Sequence, residues 1–171
     1  GVQTCALPIS LTARAMQVTA GDDDITNVDN LADQLNETYD INGIAISRTW
    51  ASRLRKIRVP ATGMRYYPEI PLNLQVGTLD GIKAATSATV NGAKAKTPTN
   101  VLAIMGDFSL IKWGMVRDIT SEIIPYGDPD QTGVDLKAHN QIAYRTEAMF
   151  SYAVVDPKAF AVLKTSTEAG A

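Results

Sequence analysis

Three half-apolar runs stand in line between Val101 and Asp128, VLAIMGDFSLIKWGMVRDITSEIIPYGD, parted by Gly106-Asp107-Phe108 and by Arg117-Asp118. Each run is short and bounded by turn or charged residues, so the pattern predicts strands over Val101–Met105, Leu110–Val116 and Ile119–Ile124. Strands in this order commit the chain to a sheet, because a strand buries its apolar face only by pairing and packing. No catalytic constellation lies inside the stretch.

The flanking segments add helices. Ile25, Val28, Leu31, Leu35 and Tyr39 recur at spacings of three and four, which predicts an amphipathic helix over Ile25–Tyr39 capped by Asp24 or Asn27. Asn42-Gly43 is a turn signal, followed by a short strand, Ile44–Ile46. Ser47 is the expected N-cap of a second helix, Arg48–Ile57, with Trp50, Leu54 and Ile57 on one side and Arg48, Arg53, Arg55, Lys56 and Arg58 around the rest. Val59–Gln75 reads as loop, with Tyr66-Tyr67 as apolar bulk, and Gly81–Thr86 as a strand. From Gln141 to Val155 the residues alternate as in one long two-sided strand. Asp156 and Pro157 read as the cap and first position of a short helix. Ser10–Asp24 reads as a loop or severed end, its Asp22-Asp23-Asp24 run as a solvated turn leading into a helix, with a divalent-metal site as the alternative.

Charge and motifs exclude several function classes. The chain has 171 residues, 16 basic against 18 acidic, a net charge of −2, without the basic excess of a module that holds nucleic acid by bulk charge. No apolar run is long enough to span a membrane as a helix. No nucleotide-binding glycine loop, G-x-S-x-G or H-E-x-x-H is present. His139 is the only histidine and has no partner set by nearby sequence. No catalytic, metal-binding or cofactor-binding set is assigned, and the chain is not expected to be an enzyme.

The first nine residues, GVQTCALPI, read as the translation of one frame of a common short-read sequencing adapter, whose next base allows Ser10. Residues 1–10 are therefore left out of the fold reasoning. Cys5, the only cysteine, falls within them, which leaves no thiol chemistry for the rest. The chain is expected to be a fragment that begins mid-gene.

The order of the remaining pieces resembles the major capsid protein of tailed double-stranded DNA bacteriophages, in the C-terminal half of its Hong Kong 97-type fold. The resemblance rests on Leu31–Tyr39, Asn42-Gly43-Ile44-Ala45-Ile46, Trp50–Lys56 and Gly77–Ile82, then Gly106-Asp107-Phe108 and Met115-Val116-Arg117-Asp118. It continues through Asn140-Gln141-Ile142 with Arg145 and Glu147, and Val155-Asp156-Pro157-Lys158-Ala159-Phe160. It covers nearly all of Asp24–Lys164. Met149 departs from it, standing where the family often has a second arginine.

The resemblance implies an α+β fold with an axial domain over 25–120, peripheral-domain strands and a terminal helix over 121–165, and a frayed tail over 166–171. The arm, extended loop and spine helix of the family would precede Ser10. It implies a structural subunit of an icosahedral virion capsid, assembled in the bacterial cytoplasm into pentamers and hexamers. The shell would enclose DNA without sequence-specific contact, with room for a scaffolding or protease domain and no membrane partner. Arg53, Arg55, Tyr66, Tyr67, Asp128, Asp130, Arg145 and Glu147 are the candidate subunit-interface residues, Gly106 a candidate hinge and Asn140 a candidate cross-linking side chain. The alternatives are an encapsulin-like compartment shell, a stand-alone α+β binding domain, and a hydrolase using His139 with a carboxylate.

Overall fold

Asp23 opens the first helix. Its carboxylate accepts from Ile25 N and Thr26 N, both at 3.2 Å, and from Thr26 Oγ1 at 2.6 Å, closing the free end of α1, Asp24–Asp33. The cap is one residue earlier than the apolar spacing predicts. The helix also ends before Tyr39, passing into turns where Asn36 and the β-branched Thr38 are weak helix formers. The computed structural model describes residues 11, 13–70, 76–93 and 99–165. The adapter-like segment 1–10 and the tail 166–171 lie outside them.

Strand β1 is Met16–Thr19, in a segment whose polar sequence reads as loop. Strand β2, Gly43–Ser47, leads directly into helix α2, Arg48–Lys56, where Ser47 Oγ accepts from Trp50 N at 3.3 Å as the sequence predicts. Strands β3, Val76–Leu79, and β4, Ile82–Ser87, form a hairpin. Its turn is Asp80-Gly81, with φ of 50° and 81°, the paired left-handed geometry that suits the strand twist. Gly81 is thus a turn residue and not the start of a strand.

Strand β5 is Val101–Gly106, buried throughout. After a 3₁₀ turn at Phe108–Leu110 comes β6, Ile111–Ile124, a single strand of 14 residues where the sequence reads as two. Arg117-Asp118 does not break it, because its side chains are exposed and a charged pair costs a solvated strand little. Strand β7 is Ala143–Val154. Asp156 caps a 3₁₀ turn at Pro157–Ala159 by accepting from Lys158 N at 2.9 Å, and the chain then enters β8, Phe160–Lys164, instead of a longer helix. A short run such as Phe160-Ala161-Val162-Leu163 carries no periodicity to separate strand from helix.

Six strands form one sheet in the order β1-β8-β5-β2-β4-β3. β1 runs parallel to β8 and β2 parallel to β4, while β8–β5, β5–β2 and β4–β3 are antiparallel. Helices α1 and α2 share one core cluster with one face of this sheet, through Val28, Leu31, Trp50 and Leu54 against Ile46, Met105 and Leu163. Phe160 and Val162 alternate with the core residues Ala161 and Leu163 and are also fully buried, so both faces of β8 are covered. β6 and β7 form a separate two-stranded ribbon.

The chain divides into two units. One holds the chain up to Leu110 together with Val154 onward, and the other is Ile111–Ala153. This division falls at 110/111, where the sequence reading sets its domain boundary at 120/121. Residues 111–120 belong to the ribbon strand, and the terminal segment returns to the large sheet through the pairing of β8 with β1 and β5.

Candidate functional site

Two sequence motifs that read as independent turns meet in space. Asn42, ahead of β2, accepts from Phe108 N through Oδ1 at 2.8 Å and donates through Nδ2 to the Asp107 carboxylate. Asp107 Oδ1 also accepts from Ser109 N at 2.9 Å. Gly43 lies opposite Gly106 in the sheet register, and a Cβ on Gly43 would come 2.9 Å from the Phe108 ring. That ring stacks edge-on against Phe160 with centroids 5.5 Å apart. Asn-Gly and Gly-Asp-Phe are thus halves of one clip at the end of β5. The sequence reading missed it because nothing local pairs residues more than sixty positions apart.

Gly106 is a place of close approach. A Cβ there would overlap the Ala159 carbonyl oxygen and lie 2.9 Å from the Phe160 Cα. Backbone crosses close to backbone at this point, and the division between units falls beyond it, after Leu110.

The aspartate run is not a simple solvated turn. Asp24 is only 8% exposed, and its carboxylate accepts from Trp50 Nε1 at 2.9 Å and from Arg53 Nε at 2.9 Å and Nη2 at 2.8 Å. Arg53, an interface candidate by sequence, is therefore held by its own chain. Asp24 is a structural anchor that sequence reasoning missed, since an Asp beside a cap position looks like any first-turn carboxylate.

Tyr66 and Tyr67 separate. Their rings meet edge-on with centroids 5.0 Å apart, but Tyr67 is 5% exposed and Tyr66 45%. Burial pushes the Tyr67 phenol up to about 12. Of the pair, Tyr66 alone presents surface. Arg55 is half-buried near the end of α2, beside the exposed Lys56.

The remaining candidates lie in the ribbon unit. Arg145 and Glu147, two apart and so on one face of β7, form an ion pair, and Glu147 also accepts from Arg117 Nη1 on β6 at 3.5 Å. Asp128 accepts from Thr132 N at 3.1 Å and Gly133 N at 2.7 Å. The Gly133 N–H in particular holds its carboxyl below the usual range. Asp130 accepts from Thr132 Oγ1 at 3.1 Å. Asn140 is exposed at a left-handed φ of 54°, which Asn tolerates better than most residues. His139 Nδ1 lies 2.9 Å from the Asp135 carbonyl oxygen, an exposed backbone contact. Trp113, Val116, Tyr144 and Phe150 are 60–78% exposed on the ribbon, and Met149 is 56% exposed.

Comparison with known proteins places this architecture. The model of the phage capsid family matches residues 9–165. A solved structure from Gordonia phage Cozz superposes with a TM-score of 0.78 at 32% identity, over 92% of this chain and 52% of that one. One from Mycobacterium phage Ogopogo gives 0.75 at 29%, over 91% and 55%. A virus-like particle from Pyrococcus furiosus gives 0.55 at 16%, over 92% and 58%, a likeness of fold alone. The chain spans about half the length of the phage structures it matches. No curated protein sequence matches. The fold is the Hong Kong 97-type capsid fold, and the chain belongs to the phage capsid family.

Proposed function

We propose that this chain is the wall-building part of a major capsid protein, a structural subunit that self-assembles into the pentamers and hexamers of a phage or prophage shell around double-stranded DNA. The observation that carries the reading is the family match over residues 9–165, joined to phage structures at 29–32% identity. The unit built on the six-stranded sheet would be the axial domain and the ribbon unit part of the peripheral domain.

The geometry agrees with a chain made to be covered. A two-stranded ribbon has no interior, so its stability must come from partners. Here it carries Trp113, Val116, Ile119, Ile123, Tyr144 and Phe150 at 60–78% exposure. Exposed apolar surface on this scale marks an interaction face. Arg145, Glu147, Asp128 and Asp130 would sit at the rim of such contacts and set register, at roughly 0–1 kcal/mol per exposed pair. An encapsulin-like shell shares the fold, but the phage structures superpose better than the Pyrococcus furiosus particle, with TM-scores of 0.75 and 0.78 against 0.55.

The test is expression of the complete reading frame that contains this chain, followed by sedimentation and electron microscopy. Closed shells of uniform diameter are the expected product. A monodisperse monomer or a small closed oligomer would overturn the proposal.

A further inference from the structure

The first half of the chain separates its charges. From Ala15 to Ser47 there are seven carboxylates and no Lys or Arg, and from Arg48 to Pro68 there are six Lys and Arg and no carboxylate. The fold turns this segregation into surfaces. Helices α1 and α2 pack into the same core on one side of the sheet and are linked by the Asp24–Arg53 pair. Asp29, Asp33, Glu37 and Asp40 are exposed on and just beyond α1.

The basic side is a lobe built from α2 and the chain after it. Among the described residues, Arg53 is the only one of its six cations in an ion pair. Arg48, Lys56, Arg58 and Arg65 are exposed. Arg58 and Arg65 face each other across an antiparallel bridge, an arrangement in which like charges repel. Arg58 Nη1 turns aside to the Arg55 carbonyl at 3.3 Å. Met64 and Tyr66, 69% and 45% exposed, lie in the same lobe. Unpaired cations held against one another, next to exposed apolar side chains, are the composition of a surface that meets an anionic partner.

We infer that this basic lobe docks on the acidic surface of α1 and the turn beyond it, at Asp29, Asp33 and Glu37, of a neighbouring copy of the chain. Charge complementarity selects this occupant: the matching anionic surface is carried by the same unit, on the adjacent helix. Two different patches meeting from copy to copy make a heterologous contact, which repeats head to tail and forms a ring where the rotation between copies closes. The inference rests on the proposed shell-building function and adds the contact that orients neighbours within a ring.

Lys56→Glu with Arg65→Glu, made in the complete reading frame, tests it. The carboxylate introduced by Arg65→Glu would face Arg58 as an opposite charge, so the fold should keep or gain thermal stability while the docking surface is reversed. We expect shell yield to fall about tenfold or more in low salt. Adding Asp29→Lys and Asp33→Lys should restore assembly by exchanging the two charges. Wild-type yield from the first variant would overturn the inference and leave the shell function standing. A folded first variant that the exchange fails to rescue would overturn it too. Shells that form normally but hold less DNA would overturn it by assigning the lobe to nucleic acid. Failure of the wild-type frame to form shells would remove the shell function and the inference together.

Discussion

Replacing Asp24 with Ala would strand a fully buried indole N–H in the helical layer. Trp50 is 0% exposed, and its indole Nε1 donates to Asp24 at 2.9 Å. Water cannot reach that N–H, and an unpaired buried donor costs about 1–3 kcal/mol. Arg53 loses both of its bonds, but its side chain is 41% exposed and re-solvates in part. The penalty of about 3–5 kcal/mol for breaking a fully buried pair therefore applies only in part. Together these predict a loss of about 3 kcal/mol for Asp24→Ala. Asp24→Asn keeps an oxygen acceptor for the indole and should cost less, about 1–2 kcal/mol. Trp113, 73% exposed, can be changed to Phe so that urea unfolding at low protein concentration reports on Trp50 alone. A loss below about 1 kcal/mol for Asp24→Ala, or equal losses for Ala and Asn, would refute the assignment of Asp24 as an anchor.

Gly106→Ala should cost about 3 kcal/mol or more in thermal or urea unfolding, because the new Cβ meets backbone, which cannot yield. Gly114→Ala, with nothing within 4 Å of its Cβ, should stay within about 0.5 kcal/mol and serves as the control. Asn42→Asp would set a carboxylate against that of Asp107 and remove the amide donor. The pair of carboxylates would have a raised pKa when folded, so the melting temperature should be depressed at neutral pH, and its deficit should shrink as pH falls toward about 4. Tyr67, pushed up to about 12 by burial, should be the last tyrosine to ionise in an absorbance titration. Its folded pKa lies above the unfolded value of about 10, so its contribution is intact below pH 10 or so and lost as pH rises through the folded pKa. Ionisation together with the exposed tyrosines would contradict its burial.

Much of the local structure is legible in the residues. The spacing of Val28, Leu31 and Leu35, the Ser47 cap and the run Val101–Met105 each state a preference within one window. Where the reading fails, the deciding contact lies elsewhere in the chain. β1 is a strand because it pairs with β8, and β8 is a strand because it fills the gap between β1 and β5. Arg53 looks like a free surface cation until Asp24 is placed beside it, and Tyr67 looks like Tyr66 until the core closes over it.

The sequence alone determined the helix faces, the hydrophobic runs, the segregation of acid and base and the ordered motifs that mark the capsid family, because all of these are properties of residue type and spacing along a line. Tertiary structure alone decided that Asn42 and Phe108 are partners, that Gly106 is glycine for want of space, and which charged groups remain exposed. Pairing and burial depend on distances between residues remote in the chain, and a linear pattern contains no such distances.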